Sequence, residues 1–242
     1  VVARAVGTPA DPGIVLDLGK VEGVDDENTE EFDADAVSLS LNNAAVFVGV
    51  GGSLRDPLVN DGDLTNADRY SDDEVVNGPF GFGASVGSLD LVSLKNRAGV
   101  LPTDDVDYLG VEIAGATATL LGLEGFLDLA IWDAALKVNK VQDYDADPSI
   151  TPDKLNWNNV SIDTIAGGIE LASLDIDDSL DLHAEGNVVL KGLLGTVVAR
   201  AVGTPADPGI VLDLGKVEGV DDENTEEFDA DAVSLSLNNA AV

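Results

Sequence analysis

The sequence predicts an all-β protein built as a tandem array, either a β-solenoid or stacked β-sandwich modules, forming an elongated rod. Three observations carry this expectation: a long segment that recurs unchanged, an apolar pattern that alternates with period two, and a composition of small aliphatic residues and glycine with few aromatics.

The recurrence is the strongest of the three. Residues 1–46, VVARAVGTPADPGIVLDLGKVEGVDDENTEEFDADAVSLSLNNAAV, return without a change as residues 197–242. Identity in register over this length does not arise by chance, and internal repetition sets the architecture before any other feature does. The offset of 196 defines the unit, so residues 1–196 are one complete repeat and residues 197–242 open the next, identical one. Gene repeats kept alike by recombination would produce this, and the chain is expected to be a window on a longer array. The complete lack of Met agrees with an internal stretch.

Composition narrows the function classes. Hydrophobic residues make up 45% of the chain, too many for a disordered acidic tail, while only 5% are aromatic. Val, Leu, Ile and Ala mixed with 26 Gly suit thin, regular β-structure better than an enzyme core. The formal charge is −34, from 46 acidic and 12 basic residues. The first 46 residues hold 10 acids and 2 bases, which leaves one unit with 36 acids and 10 bases, a charge of −26. Such self-repulsion opposes a compact state unless cations offset it. Nucleic acid and anionic membrane surfaces both demand basic patches and are excluded as partners. Divalent cations are the natural complement. Cys is absent, which removes disulfides and thiolate metal sites. No run of about 20 apolar residues occurs, so no membrane insertion is expected.

Taken in order, the strand signals are as follows. Ile14, Leu16 and Leu18 alternate with Val15, Asp17 and Gly19. Val37, Leu39 and Leu41 alternate with Ser38 and Ser40, and Asn42-Asn43 then signals a turn. Leu127, Leu129 and Ile131 alternate with Asp128, Ala130 and Trp132. Ala134 to Val141 has some helical character, but the Leu136/Val138 alternation argues for strand. Leu180 and Leu182 alternate with Asp181 and His183, and Glu185-Gly186-Asn187 looks like a hairpin turn before Val188-Val189-Leu190. A shorter pattern, Leu-x-Leu, recurs at Leu16, Leu39, Leu89, Leu127 and Leu180 with irregular spacing. Strands of constant rhythm joined by variable loops would give it, and so would any half-buried strand.

The acids concentrate in the expected loops: Asp25 to Glu31, Asn60 to Asp63, Asp68 to Glu74, Asp104 to Asp107, and Asp143 to Pro148. Calcium is the expected ligand, because it takes six to eight oxygens and closely spaced carboxylates can supply several. The candidate metal ligands are Asp143, Asp145, Asp147, Asp61 and Asp63. Neither group forms an EF-type loop. After Asp143 the twelfth position is Lys154, where a bidentate Glu is needed, and after Asp61 the sixth position is Asn66 in place of Gly. The glycine-rich calcium-binding nonapeptide of β-rolls is absent as well; Gly51-Gly52-Ser53-Leu54 only touches it.

For catalysis the inventory is poor, and no enzyme is expected. One His, His183, excludes most His-based triads and His-ligated metals, and its place in an alternating strand suits a structural or surface role. Carboxylate pairs could serve glycoside hydrolysis, but any acidic chain offers them. Gly49-Val50-Gly51-Gly52 lacks the Lys and following helix of a phosphate-binding loop. Trp132 and Trp157 are expected in the core or at its rim.

Val46-Phe47-Val48-Gly49-Val50-Gly51-Gly52-Ser53-Leu54, following Leu39 to Asn43, and Glu185 to Leu190, leading to Leu194-Gly195-Thr196-Val197, resemble segments of giant repetitive bacterial surface proteins of the adhesin-like, type I-secreted kind. That resemblance implies an extracellular or cell-surface location, an extended array and calcium dependence. The function expected is therefore mechanical: a fibre, filament or adhesin stalk of identical acidic modules. Its partners would be neighbouring repeat units, other copies of the same chain and divalent cations. A calcium- or glycan-binding surface module is the alternative.

Overall fold

Each stretch of period-two alternation forms a strand, and most run longer than their apolar patterns suggest. The computed structural model describes residues 1–7, 12–24, 31–55, 73–96, 106–144, 152–163, 168–192, 197–220 and 227–242. Strands account for 72% of these residues, and none of them is helical. In chain order they are β1 (Val2–Ala5), β2 (Ile14–Val24), β3 (Glu31–Val50), β4 (Ser53–Arg55), β5 (Glu74–Val76), β6 (Phe80–Asn96), β7 (Val106–Leu121), β8 (Leu127–Asp143), β9 (Ser161–Asp163), β10 (Leu180–Gly192), β11 (Val197–Ala201), β12 (Ile210–Val220) and β13 (Glu227–Leu237). The all-β expectation holds.

Eleven of the strands form one sheet in the order β13-β12-β10-β8-β7-β6-β3-β2-β9. Strand β1 lies in line with β2 on the same edge of β3, and β11 lies in line with β12 on the edge of β10. Every named pair is antiparallel. Coils of a β-solenoid stack their strands in parallel, so the described residues form no solenoid coil. Nor, among the described residues, does a second large sheet pack on the first as in a sandwich. Alternation fixes which residues share a face and is silent on strand direction, which is why the sequence left both options open.

The register puts the apolar residues into rows that cross the sheet. Leu16, Leu39, Leu91, Val111, Val138, Leu182, Leu214 and Val233 are successive Cα partners across eight strands. Ile14, Leu41, Leu89, Ile113, Leu136, Ala184, Leu212 and Leu235 form the next row on the same face. Such cross-strand aliphatic pairs are the unit of sheet stabilisation and select this register over a one-residue slip. The Leu-x-Leu signals at Leu16, Leu39, Leu89 and Leu180 are parts of these two rows.

The opposite face is covered by residues 152–160 and 168–179, an irregular layer. The core contains Val21, Ala34, Ala36, Val92 and Leu94 from the sheet and Leu155, Trp157, Leu174 and Ile176 from the layer. Trp157 is thus a core residue, as expected. The close approach requires Gly110 in β7, where a Cβ would lie 2.4 Å from Leu174 Cδ1 and 2.8 Å from Trp157 Cε2. Asn139, fully buried, fastens the layer down. Its amide donates to the carbonyls of Leu155 and Asp177, both at 2.8 Å, and its oxygen accepts the Trp157 indole N–H at 3.0 Å. Ser38 adds a hydroxyl that accepts from the Ala172 N–H at 2.8 Å.

Two turn signals are corrected. Asn42-Asn43 does not end its strand, and Glu185-Gly186-Asn187 is no hairpin: both lie inside strands, β3 and β10. They belong to a crease that crosses the sheet. Asn43 (φ 46°), Gly115 (φ 62°), Asp133 (φ 48°) and Asn239 (φ 46°) all take left-handed backbone along it. The β6·β7 ladder is interrupted between Ser85 and Ser88, and the β7·β8 and β8·β10 ladders change register between Ile113 and Ala118 and between Glu185 and Asn187. The breaks between β1 and β2 and between β11 and β12 fall on the same line. Bulges of this kind bend and twist strands, and they let β3 run for 20 residues where strands of about five or six are usual.

Candidate functional site

The feature that most sets this chain apart is the junction where the second repeat meets the first. It is built from β10, the last described strand of the first unit, and from β11 and β12 of the second. Along β11, Val188 faces Ala201 and Lys191 faces Val198; along β12, Gly186 faces Ile210, Ala184 faces Leu212 and Leu182 faces Leu214. Within the second repeat, β12 pairs β13 from Ile210↔Leu237 to Val220↔Glu227. That register equals the β2·β3 pairing from Ile14↔Leu41 to Val24↔Glu31, displaced by one unit. The two copies therefore build the same hairpin.

Two polar groups hold the junction. Asn187, only 1% exposed, sits in the crease beside Gly186. Its side-chain oxygen accepts the N–H groups of Gly203 (2.6 Å) and Gly209 (3.3 Å), and so closes the turn between β11 and β12 against β10. His183 lies nearer the start of β10. Its Nδ1 is 2.6 Å from Asp213 Oδ1 across the junction, and its Nε2 is 3.5 Å from Glu185. His183 thus has a specific partner in the other repeat. That partner could not be read from the sequence, since Asp213 is one carboxylate among many.

His183 belongs to a polar row on the covered face: Ser40, Asp90, Glu112, Lys137, His183, Asp213 and Ser234 are successive partners. The Ser40 hydroxyl donates to Asp90 at 2.6 Å. Lys137 stands 3.4 Å from Glu112 and donates to the Asp175 carboxylate at 2.8 Å and the Asp175 carbonyl at 2.6 Å. Burial alone would pull the Lys137 ammonium down, but the Asp175 hydrogen bond and the charges of Glu112 and Asp175 outweigh it and hold it above the ordinary lysine value. The same hydrogen bond from Lys137, and then its charge, keep Asp175 below the usual carboxylate range.

Of the five candidate calcium ligands, Asp143 is the last residue of β8, half-buried and opposite Val106. Asp145, Asp147, Asp61 and Asp63 lie outside the described residues. Among the described residues no group of three or more His, Asp or Glu side chains is placed to hold a metal. Lys154, the residue that spoils the twelfth loop position, has its own task. Its nearly buried ammonium donates to Asp181 (2.8 Å) and to the carbonyls of Leu180 (3.0 Å) and Ser179 (3.3 Å), which fastens the covering layer to the start of β10.

The identical copies differ in what covers them. In the first copy Ile14, Leu16 and Leu18 are 59%, 56% and 65% exposed, whereas their counterparts Ile210, Leu212 and Leu214, beside β10, are half-buried. The reverse holds at the other strand of the hairpin. Leu39 and Leu41 are half-buried beside β6, while Leu235 and Leu237 are 60% and 55% exposed. A shallow groove of about 410 Å³ lies at the crease, lined by Ala3, Ala5, Ile14, Leu41 and Ala44 among others. No helix among the described residues is long and apolar enough to cross a membrane. No family model, curated protein or solved structure matches this chain.

Proposed function

We propose that this chain is part of a structural extracellular repeat protein, a fibre, filament or adhesin stalk whose identical acidic β modules follow one another as an elongated rod. The observation that supports this reading best is the junction: the second copy reproduces the first hairpin in register and joins it to the preceding unit by backbone pairing. A mechanical element gains from that arrangement, because load between units passes through a row of backbone hydrogen bonds instead of a flexible linker. The scarcity of His, the absence of Cys and the acidic surface fit a scaffold better than a catalyst. Calcium is proposed to stabilise the acidic segments in which Asp61 and Asp63, and Asp143, Asp145 and Asp147, stand close in sequence.

Electron microscopy of the natural protein tests the array. Particle length should rise linearly with the number of units; compact particles whose length is independent of that number would refute it. Thermal unfolding in calcium, in chelator and in sodium chloride of matched ionic strength tests the cation. A site with a dissociation constant of ~0.1–1 mM would be nearly filled at ~10 mM calcium. That occupancy adds roughly 1.4–2.7 kcal/mol per site. Equal midpoints in calcium and sodium would mean that the carboxylates are merely screened.

A further inference from the structure

We propose that the sheet edge formed by β1 and by Ile14–Gly19 of β2 is a docking edge for strand Leu180–Gly192 of another copy of this unit, the preceding repeat in an array. The inference rests on the array reading and names the surface through which units join.

The chain holds its own control. Residues 1–19 and 197–215 have the same sequence, and where the second set meets a strand Leu180–Gly192, it pairs with it over β11 and β12. The first set forms the same hairpin with β3. On its outer side β2 is paired by β9 only from Glu22 to Val24, and Ile169 donates to the Lys20 carbonyl. Among the described residues no strand pairs the outer side of β1 or of Ile14–Gly19. Ile14, Leu16 and Leu18 are correspondingly more exposed than their counterparts. An open edge of this length is a template for strand addition, and its side chains decide which strand is accepted.

Three features of Leu180–Gly192 match this edge and few others. Ala184 extends the apolar row that begins at Leu16, and Leu182 comes beside Leu18 on the same face. His183 comes opposite Asp17, as it does opposite Asp213 at the observed junction. Asn187 meets the break between β1 and β2, with Gly7 and Gly13 in the places of Gly203 and Gly209, whose N–H groups it accepts. The crease thus acts as the register mark: a slip by one residue would bury the Asn187 amide against apolar neighbours. Joined in this way, the units form one continuous antiparallel sheet with a period of six strands: β2, β3, β6, β7, β8 and β10. At ~4.8 Å between strands each unit advances about 29 Å.

The test titrates the isotopically labelled 242-residue chain with a synthetic peptide of residues 180–192, read by residue-resolved NMR, which separates the two identical copies. Amides of Val2–Ala5 and Ile14–Gly19 should shift toward the positions of Val198–Ala201 and Ile210–Gly215 and gain matching protection from exchange. An Asn187→Leu peptide should bind roughly tenfold more weakly or worse, because the glycine N–H groups lose their acceptor. A second chain carrying residues 180–196 again ahead of Val1 makes the docking intramolecular, so that weak peptide affinity cannot hide it. Unprotected Ile14–Gly19 amides in that chain, peptide-induced protection at β13 instead, or equal binding of the Asn187→Leu peptide would each overturn the proposal. A natural protein that is linear under the microscope alongside an edge that stays open would sink the edge and leave the array. A docked edge in a protein of compact particles would do the opposite.

Discussion

Consider Asn139→Ala, a change on the face opposite the apolar rows. Asn139 has no solvent exposure and makes three hydrogen bonds: two to carbonyls of the covering layer and one from the Trp157 indole. Alanine removes the donors and the acceptor together and leaves three polar groups without partners, two at buried contacts and the Asp177 carbonyl at a part-buried one. An orphaned buried group costs about 1–3 kcal/mol. Some of that is recovered if water enters the space the side chain vacates, which puts the expected loss at roughly 3–6 kcal/mol. Against a typical total of about 5–15 kcal/mol this is a large fraction. Urea unfolding followed by tryptophan fluorescence and by far-ultraviolet circular dichroism measures it. With a slope of about 2–3 kcal/mol per molar, the midpoint should fall by ~1–3 M. Asn139→Leu should lose a similar amount despite its greater apolarity, since the same three groups remain unpaired. A loss below about 1 kcal/mol for either variant would refute the reasoning and mean that the covering layer is not held through this residue.

Other outcomes follow from the same geometry. Asn43→Val should destabilise by about 1–3 kcal/mol in urea unfolding, because a β-branched residue resists the left-handed conformation at φ 46°, while Asn43→Gly should be tolerated. Leu94→Ala, at a fully buried core position, should cost about 2–5 kcal/mol in the same assay. The Lys137–Asp175 pair sets a pH dependence. Asp175 is held below its unfolded value of 3.8, so its contribution is complete above that pH and is lost as the pH falls through the lowered native value. Lys137 is held above 10.5, so its contribution is complete below that pH and is lost as the pH rises through the raised native value. The stability difference between wild type and Asp175→Asn should therefore be constant from about pH 5 to 9 and close in acid; a difference that grows in acid would contradict the pairing. If the proposed docking edge joins the units, oriented fibres of the natural protein should diffract at ~4.8 Å along the long axis, since strands stacked through that edge lie across it.

The residues alone were enough for the all-β class, because alternation is a local property that survives whatever the strands pair with. Ile14 to Leu18, Val37 to Leu41 and Leu127 to Ile131 all lie in strands. The repeat was legible too, being identity of sequence, and the hairpin it encodes forms twice with one register. What only the tertiary structure decided is partnership. Asn43 and Gly186 carry turn chemistry, but a left-handed residue serves equally in a tight turn and in a bulge. Whether the neighbouring strand stops or continues beside it decides between them, and that neighbour is distant in sequence. Asn139 and His183 look like exposed polar positions of half-buried strands. Asn139 became a core residue because residues 152–160 and 168–179 fold back over its face, and His183 became a junction residue because β12 of the next repeat lies beside it. Direction was decided at the same level: alternation is alike in parallel and antiparallel strands, and only the ladder of backbone hydrogen bonds separates a solenoid from the antiparallel sheet this chain forms.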